Sequence, residues 1–310
     1  MYIKLYKMGY KILGRRGSFL LRNFVSSTAY WLGISPKPSE YGKEEGISAL
    51  VISYNDNDWL EPSLLSVNDL VEEYIVIDSS TDDTPKLLKE IKKTYGLNMK
   101  IIYTPPGNVV RARNLGLKNI SYKWVLIWDP DFIAMDHMPR YLKDLFNSLS
   151  PERHYLIYWP HICLDGDLFH YKPGRLYHIE HWLFTWSPLA KYFAKGRGIG
   201  SLLAPLKLYK PIFIRESLSF HLRTVRDPVK LLYKKYWKIL RARNMTNKYK
   251  LEDFVKERIK KDYGTIDVKE AAIKHLKELL ENTVQYDKNK YYDYPTILKE
   301  YVSRKYGIKL

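Results

Sequence analysis

The chain has 310 residues, 45% of them hydrophobic and 15% aromatic, enough for one large domain with appendages and a well-filled core. No apolar stretch approaches the ~20 residues that a membrane span needs. The single cysteine, Cys163, excludes an intrachain disulfide and suits a reducing, cytoplasmic compartment.

The net charge of +17 is unevenly spread, with +5 over residues 1–46, +1 over 47–221 and +11 over 222–310. Basic flanks attract anions, either phospholipid headgroups or nucleic acid; solvated helix faces are the plainer account. A single glutamine, Gln285, beside many Lys, Ile and Tyr gives a thermophile-like composition.

Residues 1–35 interleave Lys and Arg with Leu, Phe, Tyr and Trp, which fits an interfacial amphipathic helix or a helix packed on the body. They lack the apolar block and cleavage site of a secretory signal. Ser35 to Gly42, with Pro36 and Pro38, reads as a linker.

From Ile47 the pattern alternates. Ile47–Ser53 reads as a strand, and Asp58 with Glu61 three positions on reads as a capping box. Tyr74–Asp78 is a second strand, followed by a helix with Thr84 as N-cap and Pro85 in its first turn. Met99–Tyr103 is a third strand, Val109–Ile120 a helix and Trp124–Trp128 a fourth strand. This order predicts an α/β fold, a mainly parallel sheet sandwiched by helices, with ligands bound beyond the carboxyl ends of its strands.

Those ends are Ser53-Tyr54-Asn55, Asp78-Ser79-Ser80 and Asp129-Pro130-Asp131. Residues i and i+2 of an extended segment share a face, so Asp129 and Asp131 can converge as oxygen ligands for Mg²⁺ or Mn²⁺. No strand is followed by a dinucleotide or P-loop glycine motif.

Four motifs in register resemble the family 2 glycosyltransferases, which have the Rossmann-like GT-A fold. They are Ile52-Ser53-Tyr54-Asn55, then Asp78-Ser79-Ser80-Thr81-Asp82-Asp83-Thr84, Ala112-Arg113-Asn114-Leu115-Gly116 and the D-x-D, together covering residues 47–135. The resemblance implies a nucleoside-diphosphate sugar donor and a Mn²⁺ or Mg²⁺ cofactor. It implies that Ser53 and Tyr54 line the base pocket and that Asp78 contacts the base. Asp129 would hold the ribose or the metal, and Asp131 would be the main metal ligand. Arg113 lies in the family's Arg-Asn step, and Arg111 is a second cation that can face phosphate. Ser79-Ser80 departs from the family's usual Asp-Gly, which leaves the base contacts open.

An inverting transfer needs a carboxylate as general base. Asp165, Asp167, Glu180 and Glu216 are available, and the stretch Gly174 to His181 resembles the family's neighbourhood of that base. Glu180 is the first choice and Asp167 the second. His221, before a basic helix, resembles the late histidine that many GT-A enzymes supply as a further metal ligand. His178 and His181 flank Glu180 but have no second ligand cluster, so packing explains them better than zinc. The glycine-rich stretch Gly196 to Leu203 suggests a mobile acceptor or lid loop, or a membrane-facing segment. Asp227-Pro228 caps a basic amphipathic helix running to about Arg243, with Leu231, Leu232, Tyr236 and Ile239 on one face.

The expected organisation is a basic helical segment and linker (1–46), a catalytic domain (47–222) and a basic helical extension (223–310). The catalytic domain divides into a nucleotide-sugar half (47–135) and an acceptor half (136–222). The acceptor hydroxyl belongs to a glycan, a lipid-linked group or a protein. Peripheral contact with the inner face of a membrane is a further expectation. Nucleic acid is disfavoured because the charge lies away from the expected ligand edge. The competing readings are a nucleic-acid-binding protein, a catalytically silent GT-A-like scaffold and a sugar nucleotidyltransferase, which would need a glycine-rich loop where Tyr54-Asn55-Asp56-Asn57 stands.

Overall fold

A computed structural model describes residues 2–195, 200–204, 208–242 and 249–310. Helix α1 (Tyr2–Trp31) is interrupted at Gly14, where φ is 63°. Its C-terminal half is anchored on the body. Arg22 Nη1 donates to the Tyr158 hydroxyl at 2.7 Å, and Arg153 Nη2 donates to Ser27 Oγ at 2.9 Å. Leu20 and Phe24, each 70% exposed, and Trp31, 82% exposed, have no such cover. The linker folds into a single 3₁₀ turn, Pro38–Tyr41.

The expected alternation follows as β1 (Glu44–Ser53), α2 (Leu60–Leu65), β2 (Glu73–Asp78), α3 (Thr84–Tyr95), β3 (Met99–Tyr103), α4 (Val109–Lys118) and β4 (Tyr122–Ile127). Strands β3-β2-β1-β4 are adjacent and parallel. Every residue of β2 is buried, as a strand covered on both faces should be.

Two capping assignments differ from the sequence reading. Trp59, not Asp58, occupies the N-cap of α2, and no side chain caps it. Asp58 instead faces the Lys230 ammonium at 3.4 Å, so a long-range charge outcompetes the local cap. Asp83 is the N-cap of α3 and Thr84 its first residue, with the Thr84 N–H held by Asp82 Oδ1 at 3.0 Å.

Beyond β4 come β5 (Phe132–Ala134), α5 (Met138–Asn147), β6 (Tyr155–Cys163), β7 (His170–Tyr171) and β8 (Tyr177–Thr185). They are followed by β9 (Lys191–Lys195), β10 (Gly200–Ala204), β11 (Lys210–Phe213) and β12 (Ser219–His221). Here the sheet becomes mixed. Strand β8 runs antiparallel between β4 and β6, β12 and β11 pair with β6 in parallel, and β5 closes the edge antiparallel to β12. The pairing of β5 with β12 sets His221 opposite Phe132, next to Asp131.

Asp227 caps α6 (Pro228–Ala242), its Oδ1 accepting the N–H groups of Val229 and Lys230. Leu232, Tyr236 and Leu240 of α6 pack against Phe254, Val255 and Ile259 of α7 (Leu251–Tyr263) and Ala271 and Ala272 of α8 (Val268–Glu281). The apolar face of this basic helix is thus covered by its own chain. After β13 (Val284–Gln285), which pairs with β7, helix α9 (Thr296–Tyr306) returns to the α2 region. There the Tyr301 hydroxyl donates to the Asp58 carbonyl at 2.9 Å. Among the described residues, no helix is long and apolar enough to cross a membrane.

Gly116 lets α4 lie directly on β1, because a Cβ there would stand 2.1 Å from Leu50 Cδ1 and 3.2 Å from its Cγ. Leu50 is fully buried and has little room to turn. Gly116→Val should cost about 1–3 kcal/mol by overpacking. Urea titration of the variant measures this, and an unchanged midpoint would contradict the close approach.

Candidate active site

The strand ends meet on one edge, as parallel strands require. After β1 the chain turns at Asn55, which has φ 54°, a left-handed conformation that asparagine tolerates. The turn is clasped to the loop after β2. The Asn55 N–H donates to Ser80 Oγ at 2.8 Å, and the Thr81 N–H donates to Asn55 Oδ1 at 2.8 Å. Asp78 is 1% exposed, and its Oδ1 accepts both the N–H and the hydroxyl of Ser80, at 3.2 and 2.6 Å. Its Oδ2 is buried with no hydrogen-bond partner among the described residues, as is Ser53 Oγ. An unsatisfied buried carboxylate oxygen is costly, and an N–H donor from a ligand would satisfy it.

The centre of the edge is held by Arg226, whose side chain is almost wholly buried. Its Nη1 donates to Asp56 Oδ1 at 3.0 Å and its Nη2 to Asp131 Oδ2 at 3.2 Å. Burial pushes the Asp56 carboxyl up, against Lys234 and Arg226, which favour its ionised form. For Asp131, burial also acts upward but is outweighed by His221, Lys234 and Arg226, leaving the carboxyl below its usual range. Burial holds His221 down to about 4, so it is neutral at pH 7. Arg226 and Lys234 are therefore the standing counter-charges of Asp131.

His221 Nε2 lies 3.6 Å from Asp131 Oδ1. A neutral imidazole and a carboxylate oxygen so placed are the pair that can hold a divalent cation. Among the described residues, no group of three or more His, Cys, Asp or Glu side chains is arranged to do so. Water and ligand phosphate would supply the remaining positions, as they commonly do for Mg²⁺ and Mn²⁺. His221 also lines a cavity of about 770 Å³ beside the carboxyl end of β6. Cys163, in the same wall, is raised to about 12, chiefly by burial, and stays a thiol.

Residues 48–204, half of the chain, match the family model described as Glycosyl transferase family 2. The chain belongs to that family. It is a glycosyltransferase.

The poly-beta-1,6-N-acetyl-D-glucosamine synthase of Staphylococcus epidermidis is 30% identical to the transferase over 142 residues, covering 42% of this chain and 34% of the synthase. The enzyme of the same name from Staphylococcus aureus strain MSSA476 is 32% identical over 148 residues, covering 42% and 36%. The transferase thus spans about a third of the length of these curated relatives. Two solved structures align more loosely. S. aureus TarS 1-349 in complex with UDP-GlcNAc has a TM-score of 0.43 at 15% identity, over 71% of this chain and 73% of that one. The mannosyltransferase PcManGT from Pyrobaculum calidifontis, in complex with GDP-Man and Mn2+, has a TM-score of 0.43 at 12% identity, over 84% of each chain.

Of the residues expected from the transferase sequence, Ser53, Asp78, Asp129 and Asp131 share the sheet edge. Tyr54 is exposed at its rim. Asp129 is half-buried, and its carbonyl accepts from Ser63 Oγ at 3.2 Å. Arg113 lies over the Tyr192 ring at 5.1 Å, while Arg111 is exposed on α4. Asp167 is bound within its own turn, by the Phe169 N–H at 2.8 Å and His170 Nδ1 at 2.8 Å, and is not among the residues lining the cavity. Asp165 does line it, and Glu216 is exposed. Glu180 lies in β8 opposite Trp159, and its side chain lies outside the described residues. The same holds for the His181 side chain and for loop residues 196–199.

Sequence reasoning missed Asp56 and Arg226. Their only sequence signal is a polar turn after β1 and a cation after the His221 strand, neither specific alone.

Burial keeps three histidines neutral: His154 and His221 are each lowered to about 4, and His161 lies well below its usual range. Below about 6.5 the unfolded chain binds protons at these sites that the folded chain refuses. Stability should therefore fall as pH drops from about 6.5 towards 4, by up to about 1.4 kcal/mol per pH unit for each histidine. Denaturation midpoints at pH 7 and 5 measure this, and equal midpoints would contradict it.

Proposed function

We propose that the chain transfers a sugar from a nucleoside-diphosphate sugar to an acceptor hydroxyl, with a divalent cation at Asp131 and His221. The observation that carries this reading is the pairing, on one sheet edge, of the unsatisfied Asp78 oxygen with the Asp131–His221 donor pair. Asp78 needs a ligand N–H, which the uracil or guanine ring edge offers. Asp129, on the same sheet edge, is our candidate for the ribose, on the family resemblance. Arg113, beside Tyr192, supplies positive charge towards the phosphates.

A cation bound at Asp131 and His221 would neutralise charge on the leaving diphosphate. Arg226 keeps the Asp131 carboxylate ionised and oriented. Inversion then needs one base on the acceptor side. Glu180 is our first choice, on the family resemblance, and Asp165 is, among the described residues, the one of the four candidate acids that lines the cavity beside His221. Because the curated relatives are named as poly-N-acetylglucosamine synthases, UDP-N-acetylglucosamine is the first donor to test.

The exposed Leu20, Phe24 and Trp31 on basic α1 also support a peripheral membrane contact, with the apolar side chains entering the headgroup region.

Binding and hydrolysis of a panel of nucleotide sugars with Mn²⁺ or Mg²⁺ test the enzyme reading. Asp78→Asn should weaken donor binding about tenfold, the cost of one buried hydrogen bond to a charged group. Asp131→Asn should lower turnover at least about a hundredfold. If no donor binds, or if Asp131→Asn turns over normally, the reading fails.

For the membrane contact, the chain should sediment with phosphatidylglycerol vesicles and not with phosphatidylcholine ones. Phe24→Ser with Trp31→Ser should cut binding by about tenfold or more. No binding to the phosphatidylglycerol vesicles, or binding unchanged in the double variant, would refute the contact.

A further inference from the structure

The donor site described above leaves the cavity beside His221 largely unused. Among the described residues its wall carries four cations, Lys172, Arg175, Arg223 and Lys238, and two acids, Asp165 and Glu278. Both acids are engaged. Asp165 Oδ1 accepts the Thr224 hydroxyl at 3.0 Å. Glu278 Oε2 accepts the Tyr263 hydroxyl at 3.2 Å and lies 3.8 Å from His275 Nδ1.

The charged groups of these four side chains make no ion pair or hydrogen bond among the described residues. That sets them apart from two neighbouring cations, Arg226 and Lys230. Arg226 is held by two carboxylates, and Lys230 lies 3.4 Å from Asp58. Desolvation, then Arg223, Lys234 and Arg226, bring the Lys238 ammonium down to about 8. Gathering unpaired cations in a concave, partly enclosed space raises its potential and favours an anion within it.

We propose that this cavity is the acceptor subsite and that it takes a phosphate group carried by the acceptor. The inference rests on the transferase reading and names the acceptor class for that site. Two guanidinium forks and two ammonium points suit the several oxygens of a phosphate ester better than a single carboxylate. The volume of about 770 Å³ lies in the range of ligand sites.

The position fits as well. His221 is shared between this wall and the Asp131 pair, so an acceptor held here by its phosphate presents its hydroxyl next to the donor's leaving group. The nucleotide end of the donor belongs at Ser53 and Asp78, on the ends of β1 and β2. None of the cavity's lining residues comes from those strands.

Isothermal titration of the full chain with sn-glycerol 3-phosphate, glycerol and dihexanoyl phosphatidic acid tests the proposal, with and without saturating UDP. Both phosphates should bind and glycerol should not. Arg175→Gln combined with Lys238→Met should weaken phosphate binding at least tenfold, with the thermal melt and the affinity for UDP-N-acetylglucosamine unchanged. Tighter binding of the lipid phosphate identifies a lipid-borne acceptor, and equal binding a soluble one.

Three results would overturn the proposal: no phosphate binding, binding unaffected by the double variant, or displacement by UDP, which would place the phosphate in the donor's diphosphate site. Donor affinity is read on the same protein. Loss of donor binding in the unmodified chain refutes the transferase reading, whereas failed phosphate binding with donor binding intact refutes only the acceptor subsite.

Discussion

One buried guanidinium ties the site together. Arg226 reaches Asp56 in the turn after β1 and Asp131 beyond β4, from the segment between β12 and α6. Two carboxylates brought this close in a buried edge repel each other, and each loses hydration. A single planar cation with two N–H donors facing different acids resolves both problems. Removing it would leave two buried acids unpaired, a change that typically costs about 3–5 kcal/mol. The site geometry is therefore bound to fold stability, and Asp131 is oriented before any ligand arrives.

The change of sheet direction gives the edge its two sides. The parallel strands β3, β2, β1 and β4 bring polar ends to one place, as any such sheet does. The antiparallel β8, with β6 and β12 beyond it, then carries His178, Cys163 and His221 to the adjoining cavity. His221 sits on the boundary. Its burial keeps it neutral, which suits a ligand role and costs stability in acid.

The parallel half was legible because its strands are short apolar runs that end in turn residues, and because four motifs recur there in order. Met99–Tyr103 falls where it was expected. Asp58 was misread because the capping rule is local, while its carboxylate faces Lys230, 172 residues away. Arg226 escaped notice for the same reason, since its partners lie 95 and 170 residues away in sequence. The mixed strands beyond β4 depend on long-range pairing, which periodicity does not reveal. Asp167, the second candidate base in the sequence, accepts hydrogen bonds within its own turn, a local contact that the choice by sequence neighbourhood does not reveal.

The proposed chemistry requires a cation at Asp131 and His221, facing the donor diphosphate. Anomalous scattering from crystals grown with Mn²⁺ and UDP tests it most directly. The expected result is one manganese peak within coordinating distance of Asp131 Oδ1 and His221 Nε2, with the diphosphate beside it and the uracil edge on Asp78. A manganese peak away from both side chains, or a diphosphate bound with none beside Asp131, would contradict it.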